Sequence, residues 1–112
     1  MQQTTQMQLQ NIFVHHVFFW LNNSASKEDL NALTEGLKKL SHAKTIRQFH
    51  IGIPASTNRT VIEITYSVSW FLLFDNKEDQ DSYQVDPIHL NFVKECSHLW
   101  SKVVVYDTVD YQ

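Results

Sequence analysis

Phe13 to Leu21 reads FVHHVFFWL, a nine-residue run that is too short for an ordinary helix, rich in β-branched and aromatic residues and closed by Asn22-Asn23-Ser24. It is therefore a strand. Side chains alternate across a strand, so Val14, His16, Phe18 and Trp20 face one way and His15, Val17, Phe19 and Leu21 the other. Both faces are apolar. Such a strand needs cover on two sides, and few folds of 112 residues supply it from one chain.

The remaining elements follow from capping and periodicity. Ser26 with Asp29 forms a capping-box pattern, and Leu30, Leu33, Leu37 and Leu40 recur at three- and four-residue steps, predicting an amphipathic helix from Lys27 to Ser41. A second strand is expected from Ile46 to Ile51, ended by Gly52 and Pro54, with a polar loop from Ala55 to Arg59. A longer β segment, Val61 to Phe74, is expected next, broken near Tyr66 and Ser67. Asp75 with Glu78 predicts a short helix through Tyr83, and Asp86-Pro87 supplies an N-cap and a first-turn proline for a third helix reaching Trp100. On that helix His89, Val93, Cys96 and Trp100 share one stripe. Val103 to Val109 is the last strand.

Strand, helix, strand, strand, short helix, helix, strand is the ferredoxin-like α+β order: a four-stranded antiparallel sheet with helices on one face. The other face would leave Phe and Trp side chains in water, at about 25 cal/mol per Å² of apolar surface. The expected cover is a second sheet from another copy, making a homodimer and a dimeric α+β barrel. Residues 12–112 form the single domain. Residues 1–11, mostly Gln and Thr, are expected to be a flexible tail that adds nothing to the core.

Composition excludes several classes. Nine Lys and Arg against twelve Asp and Glu leave a net charge of -3 without a basic cluster, so no nucleic-acid partner is expected. No apolar run reaches the roughly 18 residues of a membrane helix, and the N-terminal residues lack the basic and apolar regions of a signal peptide. The one cysteine, Cys96, cannot form an internal disulfide, so a reducing cytoplasm is the expected location and an inert buried thiol the expected state. The six histidines show no HxxxH or HExxH spacing, and His15 and His16 point apart, so no metal is expected.

The strand HHVFFWL, the Tyr-x-x-x-Pro-x-His segment at Tyr83, Pro87 and His89, and the closing Val105-Tyr106-Asp107 together resemble the stress-responsive dimeric α/β-barrel family, often called Dabb. The resemblance spans roughly residues 13 to 109. It implies two four-stranded sheets closed into a barrel, with a cavity between sheet and helices in each protomer. Most members have no determined biochemical role. One plant branch, of the olivetolic acid cyclase type, closes a polyketide chain by an aldol reaction without a cofactor, using a Tyr and a His as acid and base. That pair matches Tyr83 and His89, a pocket histidine of the first strand matches His16, and the tryptophan of the last helix matches Trp100. The chain departs from that branch at Asp86, where a histidine precedes the proline, and in its longer segment from Ile53 to Thr65.

Chemically, a neutral histidine can take a proton next to a carbonyl while a tyrosine hydroxyl donates to the oxygen that becomes negative. Tyr83 and His89 suit those roles, and equally suit core packing and a helix first turn. His16, Phe18, Trp20, Trp70 and Trp100 are the expected lining of a pocket for a small apolar or aromatic ligand. Two functions stay open at this level. One is a homodimeric barrel that binds such a ligand without turnover. The other is a cofactor-independent enzyme resembling a polyketide cyclase, a lyase or a monooxygenase.

Overall fold

The computed structural model describes residues 5–112. Four strands, β1 (Phe13–Leu21), β2 (Gln48–Gly52), β3 (Val68–Phe74) and β4 (Trp100–Val109), form one antiparallel sheet in the order β2-β3-β1-β4. Three helices, α1 (Lys27–Leu40), α2 (Lys77–Val85) and α3 (Pro87–Cys96), cover one of its faces. The fold is ferredoxin-like, as the element order predicts.

Each face of β1 has its own fate. Phe13, His15, Val17, Phe19 and Leu21 are buried beneath the helices, while Val14, His16, Phe18 and Trp20 are only half-buried on the open side. Residues directly opposed in an antiparallel pair share a face. The pairings of His16 with Phe71 and Tyr106, and of Phe18 with Val104, therefore continue an aromatic and aliphatic surface across the open side. On the helix side Val17 and Trp70 pair at the centre of the core.

The helices start where their caps place them. Ser26 Oγ accepts the Asp29 N–H at 3.0 Å, and the stripe Leu33, Leu37 and Leu40 is fully buried. Asp86 Oδ1 accepts the Ile88 N–H at 2.9 Å, with Pro87 at the first helical position. For α2 the cap is Asn76, whose side-chain oxygen accepts from Asp79, one residue later than the expected Asp75.

Besides β2, which begins at Gln48 and not at the expected Ile46, two larger boundaries differ from the sequence reading. Val61 to Tyr66 is not a strand: the ladder with β2 ends at Gly52 and Ser69, the Ser67 N–H closes onto the Phe19 carbonyl at 2.7 Å, and the next β1 donor, the Leu21 N–H, goes to the Ser67 side-chain oxygen at 3.1 Å and not to a backbone carbonyl. The end of β1 meets the residues before Ser67 through side chains, with Trp20 Nε1 donating to Thr65 Oγ1 at 2.9 Å. Similarly, α3 stops at Cys96 and tightens into a 3-10 turn at Ser97–Leu99. The last carbonyls go to Asn22, whose Nδ2 donates to His98 O at 2.7 Å and whose N–H donates to Leu99 O at 2.9 Å. Trp100 therefore opens β4, opposite Leu21, instead of closing the helix.

Residues 5–10 are exposed and lie outside any helix or strand, and at Asn11 the backbone turns through a positive φ of 58°. The Asp110 carboxylate then receives the N–H groups of Asn11 and Ile12. The first four residues of the expected tail lie outside the described residues.

Candidate functional site between sheet and helices

The corner between α2 and α3 brings the tyrosine and histidine together. Tyr83 sits in the last turn of α2 and His89 in the first turn of α3. The Asp86 cap between them is held by its N–H to Tyr83 O at 3.2 Å and by the His89 N–H to Asp86 O at 2.9 Å. The two rings end 4.7 Å apart, tilted by 59°. Tyr83 is 2% exposed, and its hydroxyl oxygen accepts a hydrogen bond from Trp70 Nε1 at 3.2 Å.

From below, β1 contributes His15. Its register partner on β4 is Asp107, and His15 Nδ1 lies 2.6 Å from Asp107 Oδ1. A carboxylate at that nitrogen selects the tautomer with the proton on Nδ1 and leaves Nε2 for the cavity. The His15 ring is 6.0 Å from that of Tyr83.

These groups border a cavity of about 160 Å³. Its floor is Val17 and Trp70, and Phe19, Phe92 and Trp100 form an aromatic end wall, with Phe92 and Trp100 stacked at 5.7 Å. Val93, Val103 and Val105, all partly exposed, make its mouth. The wall is apolar; His15, Tyr83, Gln84 and His89 supply the polar atoms.

Electrostatics favour neutral groups here. Burial pushes the Tyr83 phenol far above its ordinary range, so it stays protonated. Burial also lowers His89 below its ordinary value, aided by His15 and opposed by the Gln84 main chain and Asp86. His89 Nδ1 is buried and has no hydrogen-bond partner among the described residues. A neutral imidazole with a free nitrogen, a phenol that keeps its proton and a carboxylate-oriented histidine can exchange a proton with a bound molecule and stabilise an oxygen on it.

The structure brings together Tyr83, His89, Trp70 and Trp100, and it sets His16, Phe18 and Trp20 apart. This corrects the expectation that His16, Phe18 and Trp20 line one pocket with Trp70 and Trp100. His16 lies on the open face, bonds Ser69 Oγ through Nε2 at 2.7 Å and packs on Phe18 and Phe71. Burial lowers its pKa, with His15 and His50 adding to the shift. Phe18 and Trp20 line a different and larger hollow of about 430 Å³, with Tyr66 and Tyr106. The histidine that β1 gives to the cavity is His15. Alternation separates His15 from His16, yet both faces of β1 are apolar, so the sequence carries no sign of which one the helices take. The usable signal was Asp107, the one carboxylate within the closing strand. Among the described residues no three His, Cys, Asp or Glu side chains converge as a metal would need.

A family model, described as the stress responsive A/B barrel domain, matches residues 13–110. A search of curated proteins by sequence found no match. Solved structures that share the fold include the following three. A Dabb-family protein with a ferredoxin-like fold from Mesorhizobium loti is 23% identical, with a TM-score of 0.74 over 92% of this chain and 100% of that one. A dimeric protein of unknown function and ferredoxin-like fold from Bacteroides fragilis is 20% identical, with a TM-score of 0.72 and the same coverage. The hydroxynitrile lyase of Passiflora edulis is 20% identical, with a TM-score of 0.73 over 91% of this chain and 95% of its own.

Proposed function

Because this chain belongs to the stress-responsive A/B barrel family, we propose that it works as a cytoplasmic homodimer, each protomer binding one small apolar ligand between sheet and helices. The carrying observation is the cavity itself: an apolar wall around His15, Tyr83 and His89, one of which holds a buried nitrogen with no partner. At about 160 Å³ it suits a molecule the size of one six-membered ring, since a cavity of roughly 150 Å³ holds benzene. Drug-sized ligands need about 300–1,000 Å³.

The dimer reading is supported by the open face of the sheet, where Phe18, Phe71, Val104 and Tyr106 lie uncovered in one chain, and by the dimeric state of the Bacteroides fragilis protein. The cytoplasmic reading is supported by a lone buried thiol and by the lack, among the described residues, of a helix long and apolar enough to cross a membrane. To test ligand binding, methyl-labelled protein is titrated with toluene and followed by NMR. Shifts are expected for Val17, Val93, Val103 and Val105; shifts only elsewhere, or none at millimolar toluene, refute the reading.

A second reading, a cofactor-independent lyase or cyclase, is favoured by the pairing of His15 with Asp107 and by the free nitrogen of His89. For a hydroxynitrile, His89 takes the hydroxyl proton while Tyr83 donates a hydrogen bond to that oxygen, the C–C bond to the nitrile breaks as the carbonyl forms, and cyanide leaves with the proton that His89 returns. The fold shared with a hydroxynitrile lyase suggests the first substrate to try, an aromatic hydroxynitrile. Release of the aldehyde, abolished by His89→Ala, supports this reading. Wild-type protein that matches the buffer rate refutes it for that substrate.

A further inference from the structure

We infer that Trp70 is a positioning residue for this cavity: its indole N–H commits the Tyr83 hydroxyl to donating, so the ligand is a ring-sized molecule bearing a carbonyl or similar acceptor oxygen. The inference rests on the ligand-binding reading above and names the class of ligand.

A phenol carries one proton and acceptor lone pairs, whereas an indole N–H can only donate. Trp70 Nε1 sits 3.2 Å from Tyr83 Oη, so in that contact the oxygen must accept and the phenol proton must point elsewhere. No acceptor among the described residues takes it. His15 and His89 are ring neighbours of Tyr83 but form no hydrogen bond with the hydroxyl. Bulk water is nearly excluded, with Trp70 1% and Tyr83 2% exposed. A buried donor without a partner is costly, and here it lies on the wall of a cavity that a ligand can enter.

Trp70 cannot easily turn away to release this constraint. It stands on β3 between Val17 of β1 and Ile51 of β2 in register, with the Phe49 ring 5.7 Å from its own. The donor geometry is thus set by the centre of the sheet and not by a mobile loop. Burial keeps the phenol protonated, which preserves the donor. A carbonyl oxygen completes the hydrogen bond; a hydrocarbon of the same shape leaves it unmade.

The test compares acetophenone with its isostere α-methylstyrene on the full-length protein. Acetophenone is expected to bind about tenfold tighter, the worth of one buried hydrogen bond. Its carbonyl stretch in the complex should fall below its value in a hydrocarbon solvent. Trp70→Phe reshapes the cavity floor for both probes alike, so the readout is their ratio: it should shrink the preference towards one and move the stretch back. Tyr83→Phe should abolish both effects. Should Trp70→Phe fail to fold, the Trp70 indole proton resonance stands in for it, and it is expected to move on Tyr83→Phe substitution.

Equal affinity for the two probes, an unshifted carbonyl, a preference that survives Trp70→Phe, or an indole proton indifferent to Tyr83→Phe overturns the inference and leaves the cavity reading standing. Failure of both probes to bind removes the ligand reading and this inference with it.

Discussion

Gly36 offers a sharp test of how α3, and with it His89, is seated over the sheet. It lies on α1 where the helix crosses α3, and a Cβ placed there would stand 2.6 Å from Cys96 Sγ and 3.4 Å from the Phe92 ring. Two effects of Gly36→Ala oppose each other. Alanine in a helix interior is better than glycine by about 1 kcal/mol, while forcing a methyl into a packed contact costs about 1–3 kcal/mol. The substitution is therefore expected to lower stability by about 1 kcal/mol net, or roughly 4–8 °C in Tm for a domain of this size. Repeating it with Cys96→Ala removes the clashing sulfur, so the methyl should then gain close to the full helical preference. The difference between the two backgrounds, about 2 kcal/mol, is the coupling energy. Urea unfolding at one fixed protomer concentration measures it, since a dimer's stability depends on concentration. Equal effects of Gly36→Ala in both backgrounds would refute the close approach of α1 and α3.

Other expectations follow from the same contacts. Phe18→Asp places a charge on the open face and should yield a monomer of 13.2 kDa by light scattering instead of twice that mass; a dimer at micromolar concentration would show that another surface pairs. Ser26→Ala removes the α1 cap and should cost about 1 kcal/mol in urea unfolding. His89 is held below its ordinary value of 6.5, so as the pH falls the unfolded chain takes the proton first. Stability should be whole above about 6.5 and decline below it, and His89→Gln should flatten part of that decline; an unchanged slope would acquit His89. A chain starting at Asn11 should keep its Tm within a few degrees, because residues 5–10 are exposed.

Much of the architecture was legible in the residues. Local rules govern Ser26 and Asp86 as caps, Pro87 as a first-turn residue and the Leu33, Leu37, Leu40 stripe, and each depends only on neighbours in the chain. The Tyr83 and His89 juxtaposition is equally local, since six residues and one helix corner carry it. The two apolar faces of β1, too, were fully specified by alternation.

What the alternation could not specify was direction. Either set of β1 side chains would have buried well beneath leucines, so the choice of His15 over His16 as the cavity histidine waited on which side α1 and α3 pack. Pairing decided the rest. Asp107 became the partner of His15 only through the register of β1 with β4, more than 90 residues apart in sequence. Trp70 met Tyr83 across the core in the same way. The start of β3 was set by where β2 ran out and by the Ser67 side chain taking the Leu21 N–H, and the end of α3 by which carbonyls Asn22 could satisfy. Local sequence determines which conformations a segment can hold; the unsatisfied backbone groups and apolar faces left over are matched only in three dimensions, and there the site took its shape.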